Sequence, residues 1–267
     1  MSISLSVIGG GNMARAIING AIAGGVLQGN EIAVADPEQT SRDYFDELGC
    51  ATTTSASELP DAPCTLLAVK PQVFDMVAQD VNAEIVYSIM AGVTTERIAN
   101  AIGHSRIVRI MPNLPCSIGY GATGLALGES ASEENAALAK EIFSQIGIVT
   151  EVSEDLMDAI TAVSGSGPAY VFLLAEAMIE GGVQAGLDLD TADAFVRQTI
   201  LGAAALLLQD ERSAGKLREA VTSKGGTTAA ALQVMNERHV FDAIVEAVVA
   251  ARDCGRELDG SDPPKHC

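Results

Sequence analysis

The chain contains no tryptophan, and aromatic residues make up only 4% of it. A core must therefore be assembled from Ala, Val, Ile and Leu, and apolar residues as a whole reach 48% of 267 positions. Histidine is almost missing: His104, His239 and His266 lie far apart, with no H-E-x-x-H pattern. Cys50, Cys64, Cys116, Cys254 and Cys267 are scattered, odd in number and never in C-x-x-C spacing. That argues against a disulfide framework and against zinc, and no metal site is expected. No apolar run reaches transmembrane length, and the opening Met1-Ser2-Ile3-Ser4-Leu5 lacks a charged n-region. The cytosol is the expected compartment. Positive charge is scarce too, since 16 Lys and Arg face 35 Asp and Glu, a net charge of −19. Such a surface repels nucleic acid and anionic membranes, so neither is an expected partner. Its acidity fits general solubility, or adaptation to high salt, where self-repulsion is screened.

What is present begins with Val7-Ile8-Gly9-Gly10-Gly11-Asn12-Met13-Ala14. An apolar strand over 3–8 leads into it, and an apolar-periodic helix through Ala16, Ile17, Ala21 and Ile22 leads out. This is the strand, glycine-rich turn and helix of dinucleotide binders, in the form G-x-G-x-x-A. Gly9 allows the tight turn, Gly11 lets backbone approach a pyrophosphate, and Ala14 keeps helix and strand close. The pyrophosphate would rest on free N–H groups at the positive end of the helix.

A second strand, 31–35, ends at Asp36, where an acid normally holds a ribose 2′-hydroxyl. That favours NADH, whereas a 2′-phosphate prefers an Arg or hydroxyl cluster, which Thr40, Ser41 and Arg42 could supply. Asp36-Pro37 could equally be a plain turn with Thr40 or Ser41 capping the next helix. The continuous apolar strand 65–69 ends in Lys70-Pro71-Gln72, at the carboxyl end where open α/β sheets bind ligands. Helices over 43–48, 55–59, 73–81 and 96–102 alternate with strands over 85–90, 106–111, 120–127 and 148–152. Ser130 with Glu133 forms a capping box for the helix ending near residue 147. The expected fold is an α/β Rossmann-type doubly wound parallel sheet over 1–153. From 154 to 267 only helical periods remain, over 169–185, 192–208, 217–221, 229–235 and 241–258. Several are apolar on more than one face, which predicts an all-α domain that pairs with a second copy. The polar tail 260–267 should fray.

Two small-residue loops stand inside the helical half. Val163-Ser164-Gly165-Ser166-Gly167-Pro168 runs into the 169–185 helix, with Pro168 suited to its first position. Thr222-Ser223-Lys224-Gly225-Gly226-Thr227-Thr228 opens the 229–235 helix. Either could be simple capping, or each could offer N–H groups and hydroxyls to a carboxylate.

Taken in order, V-I-G-G-G-N-M-A at 7–14, A-V-K-P-Q at 68–72, M-P-N-L-P at 111–115, A-V-S-G-S-G-P-A-Y at 162–170 and T-S-K-G-G-T-T at 222–228 carry a resemblance. The chain resembles the pyrroline-5-carboxylate reductase family over nearly its whole length, and the last two motifs are the specific ones. The resemblance implies hydride transfer from NADPH or NADH to the C=N bond of pyrroline-5-carboxylate, giving proline. It implies a cofactor lined by Gly9, Gly11, Asn12, Met13, Lys70, Pro71 and Asn113. It implies a substrate carboxylate held by Ser223, Gly226 and Thr227, with the Thr228 hydroxyl on the ring nitrogen as the catalytic contact. It also implies a homodimer interlocked through the helical domain, with larger rings of dimers in some relatives. Two positions depart from the family: Lys224 stands where relatives usually have Pro, and Leu114 where they usually have Thr.

A cyclic imine protonates readily, so the chemistry needs positioning and exclusion of water rather than an acid–base dyad. A hydroxyacid dehydrogenase, which also joins a Rossmann domain to helices, would need a general acid–base residue. No lysine occurs between Lys140 and Lys216 to serve as one. A non-catalytic dinucleotide sensor would have no use for the loop from Ser223 to Thr228.

Overall fold

The computed structural model describes residues 2–104 and 106–258. The tail expected to fray lies outside the described residues. Two compact units result, one from 2–166 together with 249–258, the other from 167–248.

The first unit is built on eight strands: β1 (Leu5–Ile8), β2 (Ile32–Ala35), β3 (Ala51–Thr53), β4 (Cys64–Leu67), β5 (Ile85–Ser88), β6 (Ile107–Met111), β7 (Gly121–Leu127) and β8 (Gly147–Glu151). They form one sheet in the order β3-β2-β1-β4-β5-β6-β7-β8. Every residue of β1, β2 and β4 is buried, which is why these strands read as apolar runs without alternation. Six helices accompany them: α1 (Asn12–Ala23), α2 (Gln39–Glu47), α3 (Phe74–Val77), α4 (Thr95–Ile102), α5 (Glu133–Ser144) and α6 (Met157–Ile160). Ile17, Ile18, Phe45, Ala139, Ile142 and Phe143 pack α1, α2 and α5 into one core cluster. Phe74, Val93 and Ile98 bring α3 and α4 into a second. Helix-covered cores of this kind are what a doubly wound sheet requires.

Several local expectations are corrected. β3 was not anticipated, because a three-residue edge strand with two threonines carries almost no apolar signal. β7 runs antiparallel to β6 within the otherwise parallel sheet. Its connection, 112–120, is shorter than the dozen or so residues that a parallel crossover needs. The helix over 73–81 is one α turn between two 3₁₀ turns. The capping box of α5 is Ser132 with Asn135, since Glu133 is already the first helical residue. Cys50, Cys64 and Cys116 are free and buried.

The second unit holds α7 (Gly167–Gln184), α8 (Leu189–Gln209), α9 (Ala214–Ala220), α10 (Thr227–Glu237) and most of α11 (Val240–Leu258). α7 and α8 pack on each other, and a side chain at Gly182 would press on the Ala192 methyl at 3.2 Å. Asp188 caps α8 by accepting the Thr191 N–H at 2.9 Å. By contrast α9, α10 and α11 make only glancing contact with any other element. No residue of α7, α9 or α10 is buried, and in α8 only Ala192 and Val196 are. Phe172, Phe195, Leu208 and Phe241 are more than half exposed. By length and composition alone, 154–184 and Leu189–Gln209 would suffice to cross a membrane, contrary to expectation. A run broken by one or two acids is not continuous, yet its mean stays apolar.

Candidate functional site

The order of the sheet reverses at β1 and β4, and ligands of open α/β sheets bind beyond the carboxyl ends of strands at such a point. The Ile8 carbonyl accepts the Ala68 N–H at 2.8 Å, so the exits of β1 and β4 are tied together there. The three glycines after β1 have three different reasons to be glycine. Gly9 has φ +100°, and a Cβ on it would stand 2.7 Å from the Ala68 carbonyl oxygen. A Cβ on Gly10 would meet Ser41 Oγ at 2.3 Å and the Phe45 ring at 2.8 Å. Gly11 is extended, and a Cβ there would meet nothing within 4 Å. Protein packing thus explains Gly9 and Gly10 and leaves Gly11 open. Gly11 is also the N-cap of α1, and no side chain caps that helix. Free N–H groups beside an open glycine suit a pyrophosphate. Asn12 and Met13 form the first turn, Asn12 exposed and Met13 half-buried.

Asp36 closes the turn from the β2 side. Its Oδ2 accepts the Gly10 N–H at 2.7 Å, and its Oδ1 accepts the Glu38 N–H at 2.8 Å. Ser41 is buried, its hydroxyl donating to the Gly10 carbonyl at 2.8 Å. Arg42 turns its guanidinium onto the carbonyls of Asp36 and Pro37, both at 2.7 Å, and onto Gln39 Oε1 at 2.5 Å. Beyond β4, Lys70 is exposed and caps the 3₁₀ turn Pro71–Val73.

Asn113, at the exit of β6, is buried, and its side chain is engaged by protein at both ends. Oδ1 accepts the Ala122 N–H at 3.0 Å, and Nδ2 donates to the Ser164 carbonyl at 3.0 Å. The segment around Ser164 is no loop, which corrects the reading of the first small-residue stretch. Thr161–Gly165 is a π-helical turn that carries α6 onward without a break, with the Ser166 N–H on the Thr161 carbonyl at 2.8 Å. The Ser164 hydroxyl is likewise held, by the Ile160 carbonyl at 3.0 Å. Pro168 has no N–H to give the Ser164 carbonyl four residues back, and Asn113 supplies that donor instead. A turn of this type marks functional positions often enough to note.

The sequence reading missed one buried ionic cluster. Arg109 on β6, its side chain 5% exposed, lies 3.5 Å from Glu154 and 3.2 Å from Asp158. Glu154 also accepts the N–H and hydroxyl of Thr95, at 2.7 and 2.5 Å. An arginine inside the apolar strand I-V-R-I-M was the available signal.

On the second unit, Ser223, Gly226, Thr227 and Thr228 lie together around the start of α10. Gly225 has φ +73°, and the Gly226 N–H closes the turn on the Ser223 carbonyl at 3.0 Å. A Cβ on Gly226 would collide with Ser223 Oγ at 2.3 Å, so the serine sits directly over the glycine. Gly226 is the N-cap, and despite four neighbouring hydroxyl residues no side chain caps the helix. Gly226 itself takes the capping position, and the neighbouring hydroxyls are left out of it. Ser223, Lys224 and Thr227 are exposed and Thr228 is half-buried, so the helix end stays open to an anion.

Residues 154–258 match the family described as pyrroline-5-carboxylate reductase dimerisation, and 4–92 match the family of coenzyme F420-dependent NADP oxidoreductases. A pyrroline-5-carboxylate reductase of Synechocystis is 42% identical over 97% of this chain and 99% of its own length. The Haemophilus influenzae pyrroline-5-carboxylate reductase is 39% identical over 96% of this chain and 97% of its own. Among solved structures, a pyrroline-5-carboxylate reductase from Coxiella burnetii superposes with a TM-score of 0.88 at 40% identity, covering 97% of this chain and 99% of that one. The Plasmodium falciparum pyrroline carboxylate reductase with NADP bound reaches 0.86 at 26% identity, over 97% and 98% of the two chains. Rossmann-like sheet, helical dimerisation domain and full-length identity agree, and the chain belongs to the pyrroline-5-carboxylate reductase family.

Proposed function

We infer that this chain reduces the C=N bond of 1-pyrroline-5-carboxylate with NADPH or NADH, giving L-proline. The observation that carries the reading is the extended, unobstructed Gly11 at the start of α1, beyond the carboxyl end of β1 where the strand order reverses. When bound, the reduced nicotinamide supplies the hydride. Gly9, Gly11, Asn12 and Met13 hold the pyrophosphate end, Asp36 the adenosine ribose, and Lys70 and Pro71 line the exit of β4. Asn113 supports that region through its grip on Ala122 and Ser164 rather than through a free side chain.

For the substrate, the N–H groups that begin α10 and the hydroxyls of Ser223 and Thr227 hold the carboxylate. Gly226 keeps the backbone close enough for this contact. Thr228 orients the ring nitrogen by a hydrogen bond, so that the protonated imine presents its carbon to hydride. A hydroxyl is a poor acid at neutral pH, and its work is geometry: aligned reactants account for a large share of barrier lowering in such reactions. Lys224 adds positive charge beside the carboxylate. The exposed apolar faces of α7, α8 and α11 pair two subunits, and dimers assemble further into rings in a cytoplasmic, membrane-free enzyme.

The test mixes protein, 1-pyrroline-5-carboxylate and NADPH or NADH, and follows the reduced-nicotinamide absorbance together with proline. Loss of absorbance with matching proline is expected. Absence of turnover with both cofactors overturns the reading.

A further inference from the structure

We propose that Asp36 makes this chain NADH-preferring, by denying the adenosine ribose a 2′-phosphate. The proposal rests on the cofactor reading above and names the cofactor that it left open.

Three groups near the end of β2 could receive a 2′-phosphate: Thr40, Ser41 and Arg42. Ser41 is withdrawn from that role, being buried with its hydroxyl donated to the Gly10 carbonyl at 2.8 Å. Arg42 has its guanidinium drawn onto two main-chain carbonyls at 2.7 Å and onto Gln39 Oε1. A phosphate would have to pull it from these acceptors. Thr40 is exposed, and a lone hydroxyl cannot neutralise a dianion.

Asp36, by contrast, is fixed where the adenosine ribose lies in this fold. Its carboxylate is anchored to the glycine turn itself, through the Gly10 N–H at 2.7 Å, and would stand 3.2 Å from a Cβ on Gly10. The second oxygen is held by the Glu38 N–H. Each oxygen keeps a lone pair for a ribose hydroxyl, since an ionised carboxylate accepts about four hydrogen bonds in all. The same oxygens repel a phosphate. Glu38, exposed on the same turn, adds a second negative charge. The −19 net charge of the chain opposes NADPH further, although that long-range part is screened by salt.

With no tryptophan to quench, the fluorescence of the bound reduced nicotinamide itself reports affinity. NADH is expected to bind the wild-type protein at least tenfold more tightly than NADPH, at low salt and at high salt. Asp36→Asn keeps an acceptor for the Gly10 N–H and removes the charge. It should tighten NADPH and loosen NADH severalfold, collapsing the ratio. Arg42→Gln should leave NADPH affinity within about twofold, as expected of a group outside the phosphate contact. Equal or tighter binding of NADPH by the wild type, or an unchanged ratio in Asp36→Asn, overturns the proposal. A large loss of NADPH affinity in Arg42→Gln does so too. Failure of both cofactors to bind would instead overturn the cofactor reading itself.

Discussion

The Asn113 side-chain amide joins Ala122 to Ser164, accepting from the Ala122 N–H and donating to the Ser164 carbonyl at 3.0 Å in each case. One side chain thereby ties the exit of β6, the start of β7 and the π turn that precedes α7. Asn113→Ala leaves a buried N–H and a carbonyl without partners, at an expected cost of about 1–3 kcal/mol. Asn113→Asp keeps the acceptor but sets a buried carboxylate oxygen against the Ser164 carbonyl, so at neutral pH it should cost at least as much, and less as falling pH protonates the carboxyl. Denaturant unfolding of the two variants checks this, and wild-type stability in Asn113→Ala would contradict it.

Adjacent glycines should fail differently. Gly10→Ala forces a methyl into Ser41 Oγ and the Phe45 ring, so it should destabilise the fold by about 1–3 kcal/mol, as overpacking does. Gly11→Ala meets no atom of the chain, and its melting temperature should match wild type. On the proposed cofactor reading its affinity should nevertheless fall at least tenfold, because the methyl would occupy the approach assigned there to the pyrophosphate. Thermal melts and cofactor titration together separate the two. A Gly11→Ala protein that binds cofactor normally would remove the reason given for that glycine.

The local signals that survived in the sequence are those with a single physical cause. Continuous apolar runs gave β1, β2 and β4 because both faces of those strands are covered. The glycine turn was legible through the elements flanking it. Gly10 was not, since its need for hydrogen comes from Ser41 and Phe45, some thirty residues away. The π turn escaped for the opposite reason: Ser164-Gly165-Ser166-Gly167-Pro168 has the composition of a loop. Its helical path depends on a donor from Asn113 that no local pattern announces. Arg109 was hidden in the same way, its charge matched by Glu154 and Asp158 from another element.

Cys50 and Cys64 should be inert at neutral pH. Burial, with Asp46 adding to it, pushes the Cys50 thiol up to about 11, and burial raises Cys64 as well. The thiolate is the reactive form, so neither should label in the native protein while both label once unfolded. The sign for stability follows. Above the ordinary thiol value of about 8.5 the unfolded chain releases a proton that the folded chain keeps, so Cys50 costs stability as pH rises from there towards about 11. Cys50→Ser should flatten that alkaline slope. Rapid native labelling at neutral pH would contradict the burial of these thiols.

Thr228 is half-buried at a helix start that no side chain caps, and the proposed function gives its hydroxyl the ring nitrogen as partner. Thr228→Ala should lower kcat/KM by about 1–3 kcal/mol of transition-state stabilisation, the range for one hydrogen bond at a reacting group. Thr228→Ser retains the hydroxyl and should recover most of it. The loss should fall on kcat more than on cofactor affinity. Wild-type kinetics in the alanine variant would show that the hydroxyl does not touch the reaction.

The last prediction concerns the helices that the chain leaves uncovered. Phe195 on α8 and Phe241 on α11 are each 69% exposed, and Leu208 is 81% exposed. Apolar surface of this extent needs a cover, and closed symmetric pairing is the usual one. A dimerisation domain of the matched family spans the same residues, 154–258. Sizing chromatography with light scattering should give a dimer or a multiple of it. Phe195→Glu with Phe241→Glu places charge on the two faces and should shift the protein towards monomer and a lower melting temperature. For the wild type, the melting temperature should rise with protein concentration, because association stabilises only the folded chain. A wild-type monomer with a concentration-independent melt would mean that these faces are covered by something other than a second copy.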